Sequence, residues 1–197
     1  MTLEQKIEQA LWIAHSIYER GKTAGSSANL SFRHEDTIYI TASGTCFGNL
    51  SSEDFACVDL DGNLKSICKA SKELELHRIL YLKDTAVAAV IHTHSTYATA
   101  WSCLSNLNPH QVIPPYTPYL KMKLGEIGLI PYGKPGSLEL FELFRKNVSS
   151  ANGYLLKNHG PIVAAGSLIA AYYALEELEE SSRIAWLLQE KSADLID

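Results

Sequence analysis

Apolar residues recur at helical spacing at both ends of the chain and in short strand-like runs between. Leu3, Ile7, Leu11, Ala14 and Tyr18 trace one helical stripe. Thr2 and Gln5 form a capping box ahead of it, and Gly21 suits its stop. A strand begins near Asn29, RHEDT reads as a hairpin turn with His34 exposed in it, and TIYIT is the return strand. FACVDLDGNL predicts a further strand running into an Asp-Gly turn, with Cys57 in the core. Leu74, Ile79 and Leu82 give a short helix after Glu73. Asp84 and Thr85 break it, and AVAAVI follows as a buried strand. Ser95 suits the cap of a helix through about Leu104 that packs Trp101 and Cys103 inward. Pro109, Pro114, Pro115 and Pro118 then halt regular structure. EIGLIPY predicts a strand, GSLELFELFRKNV an amphipathic helix, and GYLLKN and PIVAAG two more strands. The chain closes on a long helix, SLIAAYYALEELEESSRIAWLLQEK, whose glutamates read as a solvated face. Alternating strands and helices predict an α/β layered domain, and the pattern by itself suggests a parallel sheet.

Length and composition narrow this picture. A chain of 197 residues predicts one domain, residues 1–197, able to bury a core without covalent staples. The formal net charge of −5 argues against a general nucleic-acid partner. Cys46, Cys57, Cys68 and Cys103 contain no C-x-x-C, so a thiolate zinc knuckle is not expected. No apolar run approaches the ~18 residues of a membrane span, and no secretory leader is evident. A cytoplasmic protein with reduced thiols is therefore expected.

The chemistry concentrates in residues 71–94. His92 and His94 close the apolar strand, and residues two apart on a strand share a face. Two imidazoles so placed can grip one metal ion. A catalytic zinc site takes three protein ligands and keeps one position open. His159 in KNHGP is the best third ligand. Glu73 precedes the helix, where read alone it is an exposed glutamate favoured by the helix dipole. His77 lies four residues on, on the same helical face, and suits a helix-surface or supporting role better than a ligand. The loops around Asn29 and TASGT serve equally as connections or as an anion cradle of backbone N–H groups. Neither a P-loop nor a dinucleotide fingerprint occurs.

ANLSFR (28–33), TASGTCFGNL (41–50), SKELELH (71–77), AVIHTHSTYATA (89–100) and KNHGPIVAAG (157–166) together resemble the class II aldolase/adducin family, in the family's order. The likeness is strongest to its 3-oxo-tetronate 4-phosphate decarboxylase branch, on the lysine of SKE, CFGNL, STYATAWSCL, PYTPYLKMKLG and PYGKPG. The resemblance implies a three-layer α/β/α fold with a mainly antiparallel central sheet. It implies a Zn²⁺ ion on His92, His94 and His159, Glu73 as catalytic acid/base, and a catalytic tyrosine. Tyr119 is the choice for that tyrosine, with Tyr116 as runner-up. It also implies phosphate binding by Asn29, Ser43, Gly44 and Ser71. Lys72 departs from the serine of many family aldolases and is expected to bind the phosphate or the departing carboxylate. The short SADLID tail is a further departure from those aldolases. The expected activity is decarboxylation of a phosphorylated four-carbon sugar acid, 3-oxo-tetronate 4-phosphate, by a homotetramer without nucleic-acid or membrane partners. A fuculose-phosphate or ribulose-phosphate type aldolase or epimerase is the alternative enzyme. An adducin-like scaffold is the non-catalytic alternative, and it needs neither the three histidines nor Glu73.

Overall fold

The computed structural model describes residues 1–196. In chain order its regular elements are α1 (Leu3–Glu19), β1 (Asn29–His34), β2 (Thr37–Thr41), β3 (Phe55–Asp59), α2 (Leu74–Lys83), β4 (Ala89–His92) and α3 (Thr96–Ser102). They continue with α4 (Tyr119–Leu124), β5 (Ile127–Ile130), α5 (Leu138–Asn147), β6 (Gly153–Leu156), β7 (Gly160–Ala165) and α6 (Leu168–Leu188). The strands pair in the order β3-β2-β1-β4 and in the order β7-β6-β5. The pairs β1–β2, β1–β4, β2–β3 and β6–β7 are antiparallel, whereas β5–β6 is parallel. The parallel sheet suggested by the alternation of elements is thus corrected: short hairpins join β1 to β2 and β6 to β7, and only β5 and β6, with α5 between them, form a parallel pair among those named.

Packing divides the chain into two compact units, one of residues 1–93 with 164–172, the other of residues 94–163 with the chain from Tyr173 onward. In the first unit, the predicted capping box opens α1: Thr2 Oγ1 accepts from the Gln5 N–H and the Gln5 side chain accepts from the Thr2 N–H. Gly21 ends α1 with a left-handed φ of 66°, and Lys22 N–H returns to the Ile17 carbonyl. The core of this unit is Ile13, Ile17, Leu30, Phe32, Ile38, Ile40, Leu76, Leu80 and Ile91. The hairpin turn is tighter than RHEDT suggested. Glu35 and Asp36 make the turn, and His34 ends β1 half-buried rather than exposed. Cys57 is half-buried too, since it faces the less covered side of the edge strand β3.

In the second unit, Phe144 of α5 packs its ring 5.3 Å from that of buried Tyr154 on β6. Trp101 is buried as expected, its indole N–H donating to the Val112 carbonyl. Cys103 is exposed instead, because α3 stops at Ser102 rather than near Leu104. The proline-rich stretch is not wholly irregular: Pro118 precedes the short helix α4, a position where a proline costs no hydrogen bond. Among the described residues no helix is long and apolar enough to cross a membrane.

Candidate active site

In the first unit, β1 and β4 run antiparallel with Asn29 directly opposite His92. Both side chains are buried, at 6% and 0% exposure. Glu73 reaches the same place from the start of α2. The Ser71 N–H bonds the Thr41 carbonyl at the end of β2, and Glu73 N–H bonds Ser71 Oγ, so the segment before the helix is tied to the sheet. That tie turns Glu73 inward, and only 3% of it is exposed. The reading of Glu73 as a solvated helix-start residue is therefore overturned. Glu73 Oε2 accepts from Asn29 Nδ2 at 3.0 Å and lies 3.4 Å from His92 Nε2.

The contacts continue inward. His77 Nε2 is 2.6 Å from Asn29 Oδ1, and Ser31 Oγ lies 2.7 Å from both His77 Nδ1 and the Tyr81 hydroxyl. His77 is fully buried, not on the helix surface. Burial, with His92 adding repulsion, lowers its pKa from the ordinary 6.5 to about 3. Burial also pushes the Tyr81 phenol well above its usual value. This line of side chains went largely unread in the sequence, yet a signal was present. Glu73, His77 and Tyr81 are spaced by four, one face of a helix, and Asn29 and Ser31 are spaced by two, one face of a strand. Two polar rows whose periods match their elements can face each other.

The expected anion loops also belong to the first unit. Ser43 N–H donates to the Lys69 carbonyl, and Ala42 forms a bridge with Ala70, so the loop of Ser43 and Gly44 lies beside the strand-like approach to Ser71. Gly44 has a left-handed φ of 85°. Ser43, Gly44 and Lys72 are exposed and Ser71 is half-buried. Asn29 is set apart from these four, since its amide is engaged by Glu73 and His77.

In the second unit, His159 sits in the turn joining β6 to β7, where Leu156 pairs with Gly160. Asn158 supplies the left-handed residue the turn needs, at φ 55°, a conformation asparagine tolerates well. The His94 and His159 rings meet edge to face with centroids 4.8 Å apart. Ser95 makes no side-chain cap on α3. Glu179 of α6 does this instead, accepting from the Tyr97 and Ala98 N–H groups at 3.1 and 2.8 Å. It is buried at 2% exposure, so the solvated-face reading of the last helix fails at this glutamate. Tyr119 is 60% exposed at the start of α4, and Tyr116 is half-buried.

His92 of the first unit and His94 and His159 of the second each offer an imidazole nitrogen suited to a divalent ion. Three imidazoles with one further coordination position suit a divalent ion that also takes substrate oxygens.

The sequence model of the Class II Aldolase and Adducin N-terminal domain matches residues 8–186. The chain belongs to the class II aldolase/adducin family. It is 40% identical over 188 residues to a 3-oxo-tetronate 4-phosphate decarboxylase of Haemophilus influenzae, covering 95% of this chain and 89% of that one. An L-fuculose phosphate aldolase of Methanococcus maripaludis is 36% identical over 178 residues, covering 89% of this chain and 93% of its own. The crystal structure of YgbL from Klebsiella pneumoniae superposes with a TM-score of 0.96 at 37% identity, over 100% of this chain and 96% of that one. The expected α/β fold of the family, with its mostly antiparallel sheet, is therefore the fold of this chain.

Proposed function

We propose that this protein is a metal-dependent lyase that decarboxylates 3-oxo-tetronate 4-phosphate to dihydroxyacetone phosphate and carbon dioxide. The observation that carries the reading is a buried carboxylate, Glu73, held 3.4 Å from the imidazole of His92, one of the three histidines of the expected ligand set. Near full-length likeness to decarboxylases of that name supports the choice of substrate.

His92, His94 and His159 hold the ion, with zinc the best match to three neutral imidazoles. When bound, it supplies Lewis acidity for the charge that develops on the substrate's oxygens. The substrate loses C1 as carbon dioxide, the bonding pair moves to C2, and the resulting enediolate is protonated at C2. Glu73, fixed by Asn29, is the acid/base beside the reacting carbons. Tyr119 delivers the proton. Its 60% exposure supports a role at a neighbouring subunit of a homotetramer. The phosphate lies against Ser43, Gly44 and Ser71, with Asn29 at the inner end and Lys72 adding the full positive charge. A protein of net charge −5 needs such a focused site to hold a phosphorylated acid. The chain works as one domain in the cytoplasm, a compartment that suits its four free cysteines.

The test is carbon dioxide release from four-carbon 3-oxo acids with and without the 4-phosphate. The phosphorylated acid should be far the better substrate, and Lys72→Ala should weaken it selectively. Comparable kcat/KM for both forms would refute the phosphate assignment. A fuculose-phosphate type aldolase remains the second reading, supported by the 36% likeness to such an enzyme. Cleavage of sugar phosphates without carbon dioxide release would select it. Elemental analysis of wild type and His94→Ala tests the ion, since equal metal content in both would contradict the ligand assignment.

A further inference from the structure

We propose that His77 is a positioning residue: through Asn29 it fixes the orientation of the Glu73 carboxylate, and the turnover of Glu73 depends on it. The inference rests on the proposed acid/base role of Glu73 and extends it to His77, which touches neither substrate nor metal.

An ionised carboxylate only accepts, so the Asn29 atom 3.0 Å from Glu73 Oε2 is the amide nitrogen. The Asn29 carbonyl oxygen then faces His77 Nε2, and a contact of 2.6 Å between them requires Nε2 to carry a proton. In a neutral imidazole Nδ1 is then the acceptor, so Ser31 Oγ donates to it across 2.7 Å. Ser31 Oγ in turn accepts from the Tyr81 hydroxyl, also at 2.7 Å. Every bond from Tyr81 to Glu73 thus points the same way. Burial keeps His77 neutral and keeps the Tyr81 phenol protonated, which the direction demands.

The alternative tautomer shows what the arrangement prevents. With the proton on Nδ1, His77 Nε2 would need a donor, Asn29 would turn its amide over, and its carbonyl oxygen would face the Glu73 carboxylate. Two acceptors would then meet in a buried place, which is costly. The tautomer of His77 thereby sets whether Glu73 is held or repelled. Asn29, Ser31, His77 and Tyr81 are fixed on β1 and α2, and such rigid support keeps an acid/base within reach of its proton.

Two experiments test this. In protein labelled with ¹⁵N-histidine, the wild-type His77 signals at neutral pH should be those of a neutral imidazole protonated at Nε2. A neutral Nδ1–H form, or an imidazolium, would overturn the proposal whatever reaction the enzyme catalyses. The second experiment compares His77→Gln with His77→Leu. The glutamine amide can still donate to Asn29 from near the Nε2 position, whereas leucine cannot. His77→Leu should lose about 10²-fold in kcat, the scale of a misplaced catalytic group, with KM and metal content little changed. His77→Gln should recover at least about tenfold of that loss, as expected when the donor is restored. Equal losses in the two variants, or a loss confined to KM, would reduce His77 to packing. Solvent deuterium exchange into dihydroxyacetone phosphate is followed alongside carbon dioxide release. If the wild type exchanges protons yet releases no carbon dioxide, the decarboxylase reading fails while the comparison of the His77 variants still stands.

Discussion

Glu73 in the first unit and Glu179 in the second are both buried glutamates, at 3% and 2% exposure. They differ in what holds them. Both Glu179 oxygens accept backbone N–H groups, those of Tyr97 and Ala98 at the start of α3. These donors would otherwise be orphans of the first helical turn, and the helix dipole favours the negative charge there. The backbone cannot rearrange without unwinding the helix, so Glu179 is a structural cap. Glu73 Oε2 instead has a side-chain amide at 3.0 Å and an imidazole at 3.4 Å. Side chains can turn, give up a contact or take a ligand. Burial of a carboxylate is therefore no sign of chemistry by itself, and the nature of its donors separates the two roles.

Substitution should separate them most sharply. Glu73→Gln is expected to lose at least about 10²-fold in turnover, the scale of general acid–base catalysis, while keeping most of the metal. Its melting temperature should stay near that of the wild type, since the glutamine oxygen can still accept from Asn29. Near-normal turnover in a metal-loaded variant would assign Glu73 to structure and erase the contrast. Glu179→Gln should show the reverse. One of the two N–H groups loses its acceptor, at about 1–3 kcal/mol of stability, while turnover per folded molecule keeps its order of magnitude. Urea titration beside the decarboxylation assay reads both effects. An activity loss without a stability loss at Glu179 would mean that the cap also acts on the chemistry.

How far these roles could be read in advance differs residue by residue. The capping box of α1, its Gly21 stop and the strands around His92 follow local rules of spacing, so they were legible. So were the places of His92 at the end of β4 and of His159 in the turn before β7, because a pair at a strand end and an N-H-G turn are short-range signals. Glu179 was not legible, since its partners Tyr97 and Ala98 lie more than eighty residues away in sequence and belong to the backbone. The long glutamate-rich helix gave an averaged signal of solvent exposure, which conceals one inward residue. His77 was half legible: its spacing from Glu73 marked a shared face, but which side of α2 is buried depends on how Ser71 is tied to β2. The antiparallel sheet escaped the alternation of elements because adjacency, not order, decides pairing, and there the resemblance to the family read further than the pattern.

The smallest expected effect concerns acid, and it falls on the Glu73 side of the comparison. His77 has its folded pKa lowered from 6.5 to about 3, by burial first and by His92 second. Between those values the unfolded chain binds a proton at this residue that the native protein does not. Stability therefore rises with pH across the window, is fully present above about 6.5 and is lost progressively as pH falls toward 3. The slope from one such group is at most about 1.4 kcal/mol per pH unit. A divalent cation on His92 would act in the same direction, since it adds positive charge beside the imidazole. Other groups titrate in the same range, so the informative quantity is a difference. Urea unfolding of wild type and His77→Gln should be followed between about pH 7 and pH 5, above the onset of general acid unfolding. The wild type should lose stability more steeply than the variant, and the two curves should run parallel above about pH 7, where neither carries the linkage. Parallel acid limbs for wild type and His77→Gln would mean that His77 accepts a proton in the folded state at its ordinary pKa, and the directional chain from Tyr81 to Glu73 would then be broken at its centre.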